Sequence, residues 1–208
     1  MSSRRIRVTV LMGGRSSEHE ISLASAQSVM DALDPSRYEV AQVEIGRDGR
    51  WALPASNRLL LGEGSVAETL PVPVSSSVPE ALGEVDVVLP ILHGPFGEDG
   101  TVQGLLELAG VPYVGAGVAA SALCMDKDLF KKVLRDSGVP VARHHTIRLR
   151  DPVSNPFGYP VFVKPARLGS SVGITKVHSE DELAPAVELA RRHDEKVIVE
   201  EFVPGTEV

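Results

Sequence analysis

The chain has a single cysteine, Cys124, so no intrachain disulfide framework can hold its fold. A lone cysteine of this kind reads as a small buried hydrophobe. Basic charge is also scarce: 21 Lys and Arg against 28 Asp and Glu give a net charge of −7. That balance argues against a sequence-independent nucleic-acid binder, although a few local lysines could still receive a small anion. No apolar run approaches the roughly 20 residues of a membrane helix. The longest, around residues 85–92, is interrupted by Asp86. Nothing resembles a secretory signal either: Arg4 and Arg5 precede residues 6–12, but that stretch stops at Gly13-Gly14 without a cleavage site, so none is expected. A cytoplasmic chain without nucleic-acid or membrane partners is expected. Two common nucleotide signatures are missing as well. No Gly-x-Gly-x-x-Gly follows the first apolar run, and no Gly-Lys-Ser/Thr closes a glycine-rich loop.

What is present alternates between strands and helices, in a chain of 208 residues that allows one or two domains at roughly 150 residues each. Residues 6–12 form a mainly apolar run of β-branched character, expected as a buried parallel strand. After the loop 13–17 a helix is expected over 18–33, with Ile21, Ala24, Val29, Ala32 and Leu33 inward. Ser17 and Glu20 fit a capping box at its start. A strand at 38–45, a turn at 46–49 and a return arm at 50–53 read as a hairpin. The tract 57–84 is the least informative, with a Pro- and Ser-rich surface loop expected at 72–78.

A second buried strand spans 85–92 and ends at His93. It leads to a helix over 99–109, with Val102, Leu105, Leu106 and Ala109 on one face, and a short strand at 112–114. Another helix begins near Met125, showing Leu129, Phe130, Val133 and Leu134 on one side. Beyond residue 138 the pattern becomes β-rich. Strands at 144–148, 160–166 and 174–178 flank a glycine-rich loop, and a helix over 180–192 leads to a strand at 196–202. Two domains of different type are expected, a Rossmann-like parallel-sheet domain over 1–124 and an α+β domain over 125–208.

Four segments carry chemistry. In Lys164–Gly173 (KPARLGSSVG) a lysine closes one strand and a Gly-Ser-Ser-x-Gly loop returns to the next. Glycines let backbone amides approach an anion, and the hydroxyls of Ser170 and Ser171 add donors, so the hairpin can fold over a phosphate chain. A plain hairpin turn is the alternative. In His93–Gly100 (HGPFGEDG) the carboxyl end of a buried strand meets a helix N-terminus, where open α/β sheets bind ligands. His93 can donate a hydrogen bond or carry a proton there, whereas Glu98 and Asp99 read as partners of the helix dipole.

The third segment, Gly13–Glu20 (GGRSSEHE), ends the first strand. It puts the Glu18 carboxylate on the same crevice edge, either as a dipole partner or as the holder of a ligand ammonium. In the fourth, Val197–Glu207 (VIVEEFVPGTE), adjacent acids Glu200 and Glu201 at a strand end point to opposite faces. One of them is then a solvated charge. Lys127, in isolation, reads as a surface charge.

Taken together, GGRSSEHEIS, HGPFGEDGT, Met125-Asp126-Lys127, KPARLGSSVGI and VEEFVPGTE resemble the D-alanine–D-alanine ligases of the ATP-grasp superfamily, in order and spacing over the whole chain. The resemblance implies a partial ATP-grasp domain after the Rossmann-like one, with ATP and D-alanine as small-molecule partners, and a homodimer. Glu18, supported by Ser170, would hold the ammonium of the first D-alanine, and His93 its carboxylate. Lys127 and Lys164 would contact the ATP phosphates under the loop of Ser170 and Ser171. Glu200, Glu201 and Val203 would line the adenine pocket, and Glu207 would bind the ribose. The family's third domain, with its Mg²⁺ ligands, has no counterpart before Val208. The polypeptide alone is therefore expected to be inactive, with the metal ligands beyond Val208. D-alanine–D-lactate or D-alanine–D-serine ligases, and a non-catalytic ATP-binding module, are the alternatives.

Overall fold

The structure, a computed structural model, describes residues 4–52, 82 and 85–205. The tract 57–84 lies outside these residues except for Leu82, and so does the loop expected at 72–78. The chain divides into two compact units, Met1–Ser121 and Ala122–Val208.

In the first unit β1 (Ile6–Gly13) is the central strand of a four-stranded sheet. It runs parallel to β2 (Tyr38–Ile45) on one side and to β4 (Val87–Pro90) on the other, and β2 turns back antiparallel into β3 (Trp51–Ala52). Val88 adds a parallel bridge to Tyr113 beyond β4. A strand paired on both edges and covered on both faces carries little polar surface, which is why β1 is apolar apart from Arg7 and Thr9. Its pleat alternates: Val8, Val10 and Met12 pack with Ala26 of helix α1 (His19–Ala32). Leu11 faces the opposite core with Val102 and Leu106 of α2 (Thr101–Leu108). Each fully buried aliphatic side chain adds about 1.5–3 kcal/mol.

Two expectations about α1 fail. Its inward residues are His19, Ser22 and Ala26, while Ile21 is 55% exposed. The helix is rotated by the hydroxyl of Ser22, which accepts the Gly13 amide at 2.8 Å and donates to the Ile91 carbonyl. The capping box does not form either. Glu18 is the N-cap residue and makes no capping bond, the Glu18 amide goes instead to Ser16 Oγ at 3.2 Å, and Glu20 turns outward to Arg47 at 3.2 Å.

Helix α3 (Val118–Met125) straddles the division, and its Cys124 is exposed rather than buried, since the helix turns Ser121 inward instead. The second unit is an antiparallel sheet in the order β5 (His144–Ile147), β8 (Val197–Glu201), β6 (Val161–Pro165), β7 (Thr175–Val177). Helix α5 (Glu180–Arg191) covers one face through Leu183, Ala186, Val187 and Ala190, packed on Val161, Val163, Val177 and Val199. Helix α4 (Lys127–Asp136) departs from the expected apolar face: Leu129 and Val133 are 47% and 45% exposed, and the buried residue is Asp128. The reason is electrostatic. Asp128 accepts Lys196 Nζ at 2.7 Å, Lys132 Nζ at 2.8 Å, His144 Nε2 at 3.0 Å and Thr146 Oγ1 at 2.8 Å.

Candidate functional site

Parallel pairing brings the carboxyl ends of β1 and β4 side by side, with Leu11 opposite Pro90. The loops that follow are therefore neighbours. Ser16 Oγ donates to the His93 carbonyl at 2.7 Å, and the Ser22 hydroxyl joins Gly13 to Ile91. Glu18 lies directly against Gly94: a Cβ on that glycine would sit 2.5 Å from Glu18 Oε2, and its φ of +71° belongs to the left-handed region. Glycine at 94 thus lets Glu18 and His93 share one edge. The His93 ring shares a 3.1 Å hydrogen bond with Ser25 Oγ through Nε2, which fixes its orientation. Glu98 and Asp99 are engaged by loop amides, Gly94 N at 2.7 Å and Phe96 N at 2.8 Å, so their role is local. A wide, mainly apolar cavity of about 820 Å³ opens beside His93, between Trp51, Phe96 and Leu105.

In the second unit, three separated stretches meet around a cavity of about 400 Å³. It takes in Lys164, Ser171, Glu200, Glu201 and Val203, and adds Ile174, the last residue of KPARLGSSVGI, with Ala142 and Phe162, which no motif indicated. Lys164 Nζ donates to Glu200 Oε1 at 2.5 Å, and Lys131 Nζ reaches Glu200 Oε2 at 2.7 Å. Burial alone would raise the Glu200 pKa, but the hydrogen bonds from Lys131 and Lys164 outweigh it and hold the carboxyl below its ordinary range. Glu201 points the other way and takes Arg143 Nε at 2.6 Å, as adjacent strand positions require.

Ser170 and Ser171 both sit in the left-handed region, φ +52° and +57°. Such conformations are held for non-glycine residues only where the surroundings impose them, and they concentrate at ligand-binding turns. The root of this loop is fixed by Arg167, whose Nη2 bonds Asp194 Oδ1 at 2.6 Å, and by Lys127, whose Nζ donates to the Leu168 carbonyl. Lys127 is itself set by its neighbours. Asp126 caps α4 and, with Asp128, grips buried Lys196, while the Lys127 amide donates to Ala166 O at 3.0 Å. Burial, and then the charge of Lys164, lower the Lys127 pKa. Glu207 lies outside the described residues. Lys131 was missed, although its spacing of four from Lys127 places both on one helix face. Among the described residues no three His, Cys, Asp or Glu side chains could hold a metal ion, and no helix is long and apolar enough to cross a membrane.

Comparison with known proteins joins these features. The family described as D-ala D-ala ligase N-terminus matches residues 7–116, and the one described as D-ala D-ala ligase C-terminus matches 133–208. A D-alanine--D-alanine ligase of Mycolicibacterium gilvum is 51% identical over 98% of this chain, and the chain spans 62% of that relative's length. The VanG D-Ala:D-Ser ligase of Enterococcus faecalis is similar in structure, with TM-score 0.81, 37% identity and 97% of this chain covered against 64% of that one. A D-alanine--D-alanine ligase of Bacillus anthracis complexed with ATP gives TM-score 0.75 at 28% identity, with 96% of this chain and 60% of that one covered. A parallel-sheet unit followed by an antiparallel one that carries a lysine-lined cavity is the mixed α/β fold of ATP-grasp ligases. The chain belongs to the D-alanine–D-alanine ligase family.

Proposed function

We propose that the chain supplies the first-substrate site and the nucleotide site of an ATP-dependent ligase that joins two D-alanines for peptidoglycan precursors. The observation that carries this reading is the cavity that gathers Lys164, Ser171, Glu200, Glu201 and Val203 from distant parts of the sequence. Phe162, Ile174, Ala142 and Val203 give it apolar walls suited to a flat base, and Lys164 supplies a cation at the phosphate end. ATP therefore fits the residues present. Lys127 joins Lys164 on the phosphates, Ser170 and Ser171 close over them, and Glu207 takes the ribose.

Glu18 holds the ammonium of the first D-alanine, and His93 binds its carboxylate. One carboxylate oxygen forms a bond to the γ-phosphorus while the bond from that phosphorus to ADP breaks, giving D-alanyl phosphate and ADP. The amine of the second D-alanine then attacks the acyl carbon, the C–O bond to phosphate breaks, and a proton leaves the nitrogen. The cations matter because a carboxylate must approach a polyanion. A charge pair at 4 Å is worth roughly 4 kcal/mol at an effective dielectric of 20. Positioning and neutralisation carry most of phosphoryl-transfer catalysis. Mg²⁺, bound by residues other than those described, would add charge neutralisation. The enzyme is placed in the cytoplasm, where ATP is available, as a homodimer, an assembly that rests on the family alone.

The test uses a polypeptide of the relatives' full length. Phosphate should be released from ATP only with D-alanine and Mg²⁺, and oxygen-18 placed in the D-alanine carboxylate should appear in that phosphate. Unlabelled phosphate would exclude the acyl phosphate. Release of phosphate without D-alanine would exclude D-alanine as the acceptor, and no release at all would favour a non-catalytic nucleotide-binding module. The likeness to a D-Ala:D-Ser ligase favours one second reading, with D-serine as nucleophile. Product analysis with D-alanine, D-serine and D-lactate in competition separates these.

A further inference from the structure

The two oxygens of Glu200 are divided between two lysines that arrive from different elements. Lys164 comes from the adjacent strand β6 and takes Oε1, while Lys131 comes from α4 and takes Oε2. Glu200 is 8% exposed, and the Lys131 side chain is 16% exposed. As it stands, Lys164 is occupied. To meet a phosphate it has to leave the carboxylate, and a buried carboxylate without a cation is strongly disfavoured.

We infer that Lys131 is a positioning residue of the nucleotide site, keeping Glu200 neutralised so that Lys164 can exchange the carboxylate for a phosphate. The inference rests on the proposed nucleotide reading of this cavity. Lys131 need not touch the ligand: its partner Oε2 is the oxygen that Lys164 does not use. Its own position is settled from outside the cavity, because the Asp126–Lys196–Asp128 cluster anchors the first turn of α4. With Lys131 present, the exchange leaves one ion pair intact. With it absent, Lys164 can turn to a phosphate only by stranding a buried charge.

Calorimetric titration of the 208-residue chain with ATP and, separately, with adenosine tests this. Lys131→Met should weaken ATP binding by about tenfold and leave adenosine within about twofold, because only the phosphates call on Lys164. Lys131→Arg should hold ATP affinity within about threefold of the unaltered chain, since the cation is kept. Added to Glu200→Gln, Lys131→Met should change ATP affinity by less than about twofold, as no charge is then stranded. Failure of the unaltered chain to bind ATP would remove the nucleotide reading and this inference with it. If the unaltered chain binds, an unchanged ATP affinity in Lys131→Met overturns the inference alone. So does an equal loss for adenosine, which marks a merely structural lysine, or a loss of about tenfold when Lys131→Met is added to Glu200→Gln.

Discussion

The two units solve the same problem, holding polar side chains at a sheet edge, by different physics. In the first, the edge is held by neutral hydrogen bonds from serine hydroxyls and by one glycine that admits a carboxylate at close range. In the second, it is held by charge pairs with at least one buried partner: Asp126, Asp128 and Lys196 together, Arg167 with Asp194, and Lys131 and Lys164 on Glu200. Neutral hydrogen bonds are worth about 1 kcal/mol each and are indifferent to pH. Buried ion pairs are strong to break and tied to protonation.

The largest expected effect follows from the second arrangement. Lys196→Met leaves Asp126 and Asp128 without their shared cation and should cost about 3–5 kcal/mol of stability, read by denaturant unfolding of the second unit. A loss below about 1 kcal/mol would mean that the cluster is solvated and that the contrast between the units is false. Next comes Gly94→Ala in the first unit, expected to cost about 1–3 kcal/mol through left-handed strain and to displace the Glu18 carboxylate. First-substrate affinity should fall, and an unaffected affinity would separate Glu18 from that site.

The smallest effect is the response to mild acid. The pKa values of Asp128, Asp194 and Glu200 are lowered in the folded chain. Burial would raise each of them, but hydrogen bonds from Lys132, Lys196, His144 and Thr146, from Arg167, and from Lys131 and Lys164 outweigh it. A depressed carboxylate contributes stability that is complete above its unfolded pKa and disappears as pH falls through the folded one. Thermal unfolding of the second unit should therefore barely change between pH 7 and about pH 5, and weaken only as pH falls below about 4, the ordinary carboxylate range. A midpoint that already drops by pH 6 would show that these pairs do not set the acid response.

Much of this was legible in the sequence. The mainly apolar run of β1 announces a buried strand, and the turn 46–49 gives the β2–β3 hairpin. Lys164, Ser171, Glu200, Glu201 and Val203 could be named together because the family's motifs are contiguous, and the cavity gathers all five. What failed has one physical origin. Apolar periodicity assumes that the inward residue is apolar, yet α1 turns in Ser22 and α4 turns in Asp128. Each is satisfied by a partner far along the chain, the Ile91 carbonyl for one and Lys196 for the other. Lys131 escaped for the same reason: only the folded sheet reveals that Glu200 has two oxygens to satisfy.

The hydroxyls of Ser16 and Ser22 have a further consequence. Each spans the gap between the ends of β1 and β4, so the two following loops are cross-linked at two points without a covalent bond. Such links break and re-form quickly, and they need no oxidant in a chain with a single cysteine. A ligand that pulls one loop inward should carry the other with it, so the edge behaves as one jaw rather than two fingers.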